Sequence, residues 1–299
     1  MTQFYWRWAG MANELFKRTV IIKTNNNITL KNDEFTMTFN VPFDDDMDMN
    51  MAEVTITNLT DSTINKLRYN DTITIEAGYN TDTGIICSGR ISDVTTTHDG
   101  IDKTTTIAIK DGADLSSKTI ENKTYANGTK ASYILRDLAN KLNLAIAKFQ
   151  IPNDVRYTSG YVVDGTITEA MQNVAMHCGV GCYIHKSKLY IRPITSGDDL
   201  QFTLSVDTGL LGTPEAFSES TEVSEEDMKY ISKSRMKVVY GKWYIIEKGY
   251  KVECLLQHRF QVASIVNLKA RGINARCRVK SGTHSFDSDF KTELEMVEV

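Results

Sequence analysis

Alternating apolar and polar residues dominate the chain from residue 19 to residue 112. Residues 35–41 and 72–79 alternate strictly, with Phe39 and Ile75 among the positions that share one face. A period of two is typical of strands with one buried face. Six or so strands at this spacing predict a barrel or sandwich. The predicted strands are 19–24, 35–41, 53–57, 72–79, 85–97 and 103–112.

Two local signals interrupt this β pattern. Residues 61–68 have the composition of a short helix, and Thr60 or Asp61 can cap its first turn. Gly89 lies inside the long strand 85–97 and indicates a bulge or bend there.

The apolar period changes to that of a helix after Gly112. Residues 130–144 place Ile134, Leu138 and Leu142 on one face, and Thr129 is the expected N-cap. Residues 167–178 predict a second helix, which opens on a Thr166–Glu169 capping box and ends at Gly179. Segments 182–185 and 188–193 read as a hairpin. Residues 113–193 are therefore predicted to form a small α/β insert.

The β pattern resumes beyond residue 193. Between Pro214 and Lys229 there are six acids and no Lys or Arg, so residues 207–228 predict a loop. The fold class is mainly β, with the α/β insert between a first β region (residues 19–112) and a second β region (residues 194–299). The strands predicted in the second region are 200–206, 236–241, 243–258, 259–272 and 290–299.

Composition narrows the class of protein. The 299 residues are 41% hydrophobic and 24% charged, which is enough apolar content to build a core and excludes a largely disordered chain. No apolar run approaches the roughly 18 residues of a membrane span, and no signal peptide is visible. Five cysteines without an export signal indicate reduced thiols in the cytosol.

Charge is distributed unevenly along the chain. Residues 19–112 contain 15 acids against seven basic residues, whereas residues 229–280 contain 13 basic residues and only two acids, Glu247 and Glu253. A basic region can indicate nucleic-acid binding. Here the basic residues occur singly within alternating strands, without an aromatic platform. This pattern favours contacts between subunits, or the solvated face of a sheet, over DNA recognition.

No catalytic motif is present, and two segments raise the question of a metal site. His177, Cys178, Cys182 and His185 fall within nine residues, and these are zinc-ligand types. Helix and strand geometry points them in diverging directions, so no zinc site is predicted. The acidic run at 44–48 lacks the spacing of an EF-hand, and a solvated loop is favoured over a calcium site. No catalytic, cofactor-binding or metal-binding residue is therefore assigned.

The first 18 residues are an N-terminal extension with many aromatic side chains. Both a tail that docks on the first β region and a contact with a partner fit this composition, and Met11 is an alternative start. The aromatic residues are Phe4, Tyr5, Trp6, Trp8 and Phe16.

Residues 39–112 resemble the first domain of phage tail baseplate hub proteins. The matching features are an alternating strand after Asn50, a short helix, and a series of short sequence landmarks. Further landmarks in the insert and second β region extend the resemblance over nearly the whole chain, although the C-terminal third matches only loosely. The landmarks are Thr57–Thr60, Ala77–Tyr79, Ser88–Ile91, Lys110–Gly112, Gly165–Met171, Ile191–Pro193 and Thr208–Glu215.

The resemblance implies two tail-tube-like β-barrels, at 19–112 and 194–299, in a homotrimer whose six barrels form a pseudo-sixfold ring. Such hubs join the tail tube to a central spike or tip protein in the baseplate of contractile phage tails and phage-tail-like bacteriocins, which assemble in the bacterial cytoplasm. The tail tube ring protein and the tape measure protein are the other implied partners. DNA would pass through the lumen without sequence-specific binding, and no enzymatic activity is implied.

Two alternatives to the hub remain open from the sequence. A carbohydrate-binding tail β protein would need exposed aromatics in one groove, and only the N-terminal extension offers a cluster. A cell-wall hydrolase would need paired carboxylates or a Cys–His pair in a pocket, and no motif indicates one.

Overall fold

The computed structural model describes residues 17–112 and 114–299. Strands account for 57% and helices for 13% of this part of the chain, so the predicted mainly β fold is confirmed. The aromatic residues of the N-terminal extension, 4–16, lie outside the described residues. In the part that is described, no helix is long and apolar enough to cross a lipid bilayer.

The first β region contains seven strands and a one-turn helix. Helix α1 (Asp61–Ile64) is shorter than predicted, and the Thr60 hydroxyl accepts a hydrogen bond from the Thr63 amide, as expected for its cap. The strands are β1 (Arg18–Thr24), β2 (Thr29–Lys31), β3 (Met37–Phe43), β4 (Met51–Thr57), β5 (Thr72–Tyr79), β6 (Asp82–Asp99) and β7 (Asp102–Lys110).

Strand β6 changes partner along its length. Its first half pairs with β5 and its second half with β7, and Arg90 takes part in both pairings. A Cβ atom at Gly89 would lie 2.2 Å from the Lys110 carbonyl oxygen. The glycine therefore permits close approach of β7, while the breaks in register fall on either side of it, near Ile86 and Ser92.

The α/β insert contains two helices and seven short strands. Ile134, Leu138 and Leu142 are buried on the inner face of the first of these helices, as predicted. Its N-cap is Lys130 rather than the predicted Thr129, whose hydroxyl donates to the Ala126 carbonyl oxygen instead. The elements are β8 (Thr119–Tyr125), β9 (Thr129–Lys130), α2 (Ala131–Lys141), β10 (Ala145–Phe149), β11 (Arg156–Tyr157), β12 (Tyr161–Thr166), α3 (Ile167–Cys178), β13 (Val180–His185) and β14 (Lys188–Pro193).

Both ends of α3 lie close to their predicted positions. Gly179 ends the helix in the left-handed region, with φ at 73°. The predicted capping box is not formed, since the Thr166 hydroxyl donates to the Glu169 carboxylate instead of capping a backbone amide.

The second β region contains seven strands, including one that the sequence pattern did not reveal, β20. Three 3₁₀ turns lie at Val206–Thr208, Asp227–Lys229 and Lys233–Arg235. The strands are β15 (Asp198–Leu204), β16 (Leu210–Glu222), β17 (Lys237–Val239), β18 (Lys242–Leu255), β19 (Ser264–Ala270), β20 (Ile273–Phe286) and β21 (Phe290–Glu298).

All strands of the two β regions belong to one 14-stranded sheet, whose main path runs β16-β18-β21-β20-β3-β4-β7-β6-β5-β1-β2. Three large apolar cores accompany it, one for each β region and one for the insert. Some residues of one region pack into the core of another. Leu256 and Phe290 of the second β region pack into the core of the first β region, and Met47 of the first β region packs into the core of the insert.

Candidate functional site

The two β regions meet where β3 pairs with β20. Phe39–Phe43 runs antiparallel to Gly282–Phe286, and the sheet continues into β4 on one side and β21 on the other. Main-chain hydrogen bonds fix the spacing of paired strands at about 4.8 Å. The regions are therefore joined through the sheet itself as well as through the insert.

A glycine allows this close packing at the junction. A Cβ atom at Gly282 would lie 2.5 Å from the Glu293 carbonyl oxygen and 2.6 Å from the Phe43 ring. Real Cβ atoms do not approach other atoms so closely, so a larger residue here would push β20 away from β21 or β3.

One face of the joined sheet is polar and concave. Two adjacent grooves, of about 550 and 480 Å³, run across β3, β20 and β21. Their walls carry more carboxylates than lysines. Lys291 Nζ lies 2.6 Å from Glu293 and 3.2 Å from Glu253, so this lysine is already neutralised within the chain. The face offers a water-exposed, mildly acidic surface.

The acidic segment predicted as a loop is largely strand β16, and this correction has an electrostatic cause. Its acids face basic residues on neighbouring strands: Glu215 is opposite Lys251 in the register with β18. Lys280 Nζ lies 3.0 Å from Glu219 and 3.1 Å from Glu247. Burial lowers the pKa of Lys280, but the hydrogen bonds to these two carboxylates outweigh it and raise the pKa above its ordinary value.

Much of the charge asymmetry seen in the sequence is thus compensated inside one chain. Basic residues of the second β region also form ion pairs with Asp45, Asp82 and Asp199, at 2.6 Å for Asp45 and 2.8 Å for Asp199. Pairing within the chain leaves less of this charge for contacts between subunits than the sequence implied.

A buried arginine pair lies where the first β region, the insert and the second β region meet. Arg278 is 2% exposed, and its Nη1 donates to Asp45 Oδ2 at 2.6 Å. Arg192 is 1% exposed and donates to Asp198 at 3.1 Å. Both guanidinium groups lie about 6 Å from the ring centroid of Tyr183, within range of a cation–π interaction.

The 44–48 segment is a loop, as predicted, but it contributes to this junction and is not solvated along its whole length. Asp45 forms the ion pair with Arg278, and Met47 is 2% exposed inside the core of the insert. The Cys182 thiol lies 3.1 Å from the Met47 sulfur. The backbone amide of Ile184 donates to the Asp46 carbonyl, which ties the segment to β13.

Carboxylates at the edge of this junction have unusual proton affinity. Burial, with the neighbouring Asp46 carboxylate, raises the pKa of Asp44 to about 7. Burial raises the pKa of Asp111 to about 6. Asn50 links the two groups: its amide side chain donates to Asp44 at 3.4 Å, and its backbone amide donates to Asp111 at 3.0 Å.

The histidine–cysteine segment has a structural role in this fold. His177 is 1% exposed, and its ring nitrogens lie 2.8 Å from the Tyr157 hydroxyl and 2.8 Å from Asp227 Oδ1. The His177–Asp227 hydrogen bond holds the segment 223–236 against α3. Cys178 is buried in the core of the insert, and His185 bonds to Gln261 instead.

The described residues contain no group of three or more His, Cys, Asp or Glu side chains arranged to hold a metal ion. The Tyr157–His177–Asp227 chain has the residue types of an acid–base relay. Tyr157 is fully buried, however, and burial raises its pKa far above the ordinary value, so its hydroxyl stays protonated and out of reach of a substrate. All five cysteines are buried free thiols.

Comparison with solved structures finds phage tail proteins over nearly the whole chain. The tail protein from Neisseria meningitidis MC58 aligns with a TM-score of 0.60 and 11% identity, over 95% of this chain and 97% of that one. The 43 kDa tail protein of prophage MuSo2 from Shewanella oneidensis gives a TM-score of 0.59 and 11% identity, over 94% and 96%. The predicted resemblance is therefore confirmed at the level of the fold.

A third structure extends the comparison to secretion machinery. The E. coli c3393 protein, a component of the type VI secretion system with structural similarity to the T4 bacteriophage tail proteins gp27 and gp5, aligns with a TM-score of 0.53 and 8% identity. The match covers 93% of this chain and 76% of that one. The sequence has no match among protein-family models and no significant match among curated proteins.

Proposed function

We propose that this chain is a structural hub subunit of a phage or phage-like tail baseplate. Three copies form a ring in which residues 19–112 and 194–299 act as alternating tube-like barrels. The ring joins the tail tube to a central spike or tip protein, and the tape measure protein and DNA pass through its lumen. The protein carries out no catalysis in this role.

The observation that carries the proposal is the single sheet shared by the two β regions. A subunit that supplies two of six positions in a ring must hold its two barrels at a fixed spacing. The β3–β20 pairing and the buried Arg278–Asp45 contact both tie the regions together. The structural match to the Neisseria meningitidis tail protein, which covers 97% of that protein, also supports a role in a tail.

The concave polar face is the natural lining of the lumen. It is formed by the strands at the centre of the shared sheet, and its carboxylates exceed its lysines. An acidic lining repels the DNA phosphates, so a nucleic acid passes without adhering.

The exposed edge of β16 supports ring formation. This strand has 13 residues, and among the described residues only β18 pairs with it. Long unpaired edges promote association, and proteins normally cover them. A rotational ring covers each such edge with a different surface of the next subunit.

The test is a structure of the intact tail tip, supported by cross-linking mass spectrometry of the particles. Three copies of this chain, with contacts from residues 19–112 of one copy to residues 194–299 of the next, would support the proposal. Six copies, or one copy on the axis, would overturn it. Digestion of purified cell walls by the isolated chain would favour a hydrolase instead.

A further inference from the structure

The hairpin between β6 and β7 ends in an exposed aliphatic side chain. Ile101 is 100% exposed at the turn, and Gly100 adopts the left-handed conformation with φ at 60°. The Asn58 side chain donates to Asp102 Oδ1 at 3.1 Å, which fixes the turn to the strand beside it. The tip therefore exposes an isoleucine next to a carboxylate, and the hydrogen bond from Asn58 restricts the conformation of the turn.

A cleft on another part of the chain has the opposite character. It lies between α3 and the strands β18 and β20, and it has a volume of about 910 Å³. Apolar side chains form much of its wall, among them Met176, Val180, Ile245 and Ile246. This is the size and composition of cavities that accept an apolar anchor.

The cleft also carries positive charge that the chain does not neutralise. Of its acids, Asp45 pairs with Arg278 and Glu247 pairs with Lys280. Glu298 accepts a hydrogen bond from the Tyr250 hydroxyl and keeps its negative charge, so the lining carries five cations against three acids. The remaining cations lining the cleft are Arg235, Lys237 and Lys248, and within the described part of the chain none of these three has an ion-pair partner.

One buried donor at the cleft is also unsatisfied. The Nη2 atom of Arg278 has no hydrogen-bond partner within the described part of the chain, although the residue is 98% buried. A buried donor without an acceptor destabilises the folded chain.

We propose that the β6–β7 hairpin tip of one copy docks in this cleft on a neighbouring copy. Ile101 packs against the apolar wall, and Asp102 faces Lys248 and Arg235. Tip and cleft are different surfaces of the same chain, so the contact is heterologous and closes a ring rather than a two-fold dimer. The inference rests on the proposed ring and names its interface.

A photo-crosslinking amino acid at position 101 tests the contact directly. Full-length protein carrying benzoylphenylalanine in place of Ile101 is mixed with ¹⁵N-labelled wild type, irradiated at the concentration where trimers form, and digested for mass spectrometry. Cross-links from position 101 of one copy to the labelled peptides around residues 172–182 or 243–248 are expected. The isotope label separates contacts between copies from contacts within one copy.

The outcomes distinguish the docking inference from the proposed function. A trimer whose position 101 cross-links elsewhere, or only within its own copy, overturns the docking contact and leaves the ring. A chain that stays monomeric at every concentration overturns both.

Substitutions at the tip and in the cleft provide an independent measurement. Ile101→Asp should weaken trimer formation by at least about tenfold, as for removal of an interface anchor, whereas Val206→Asp, at another exposed aliphatic residue, should not. Asp102→Lys should also weaken it, and adding Lys248→Glu should restore part of the loss by reversing the charge pair. Equal effects of Ile101→Asp and Val206→Asp would contradict the contact.

Discussion

Asp45→Ala tests the contact that joins the first β region to the second. The Asp45 carboxylate receives the 2.6 Å hydrogen bond from Arg278 Nη1. Arg278 is 2% exposed and cannot move into water without leaving the sheet. Within the described residues, its one other hydrogen bond runs from Nε to the Ser196 carbonyl oxygen, at 3.2 Å. Removing the carboxylate therefore leaves a buried cation without a charged partner.

The expected loss in the free energy of unfolding is about 3–5 kcal/mol, the usual cost of breaking a buried ion pair from one side. Coulomb's law gives a similar value: two unit charges about 4 Å apart, at an effective dielectric constant of about 20, attract each other by about 4 kcal/mol. The Asp45 side chain is 23% exposed, so water can partly replace it and the value should fall in the lower half of the range. A loss of this size is a large fraction of the roughly 5–15 kcal/mol that stabilises a typical domain.

Urea denaturation, followed by both tryptophan fluorescence and circular dichroism, measures this loss. Asp199→Ala is the matched control. It breaks the 2.8 Å ion pair with Arg276, which lies on β20 as Arg278 does, but the side chains of Asp199 and Arg276 are both more than 40% exposed. Because it is exposed to water, that pair should contribute little to the free energy of unfolding. The double variant Asp45→Leu with Arg278→Met should recover most of the stability, because no buried charge remains. Equal unfolding midpoints for Asp45→Ala and Asp199→Ala would refute the reasoning.

Three further predictions concern the insert and its junction. Leu138→Ala should cost about 2–5 kcal/mol because Leu138 is fully buried, whereas Tyr133→Ala on the exposed face of α2 should cost far less; calorimetry that ranks them equally would show the inner face to be misassigned. The folded protein holds a proton on Asp44 up to a pKa of about 7, against an ordinary value of 3.8, so this group's contribution to stability falls as pH rises from about 4 to 7. Asp44→Asn, which resembles the protonated form, should raise the urea midpoint at pH 8 more than at pH 5, and an equal rise at both would contradict this. Metal analysis of the purified protein should find no stoichiometric zinc, and one zinc per chain that is lost in Cys182→Ala would show that the His177–His185 segment binds it.

Strict alternation made the first β region readable from the sequence. Residues such as Met37, Phe39 and Ile75 face an apolar core on one side and carry polar neighbours on the other, so burial follows the period of two. The inner face of α2 was also predictable from periodicity. The apolar residues on that face recur at helical spacing, and all of them are buried.

The elements that were missed have charges at positions where the pattern calls for apolar residues. In β20, Ala275, Cys277 and Val279 alternate, but the intervening Arg278 is also buried, since Asp45 from a distant part of the sequence neutralises it. In β16, a run of acids resembles a loop until the lysines of the neighbouring strands are known. Local patterns cannot show a charge partner more than 200 residues away, so the arginine junction was not predictable from the sequence.

The pairing of β3 with β20 also sets the order in which the chain can fold. Phe43 emerges from the ribosome about 240 residues before its partner Gly282. At about 5–20 residues per second, the edge of β3 remains unpaired for roughly ten to fifty seconds. Leu256 and Phe290, which complete the core of the first β region, arrive equally late. During this interval another copy of the chain can supply the missing strand, so exchange of β20 between copies is the expected misfolding route when synthesis is slow or copies are crowded.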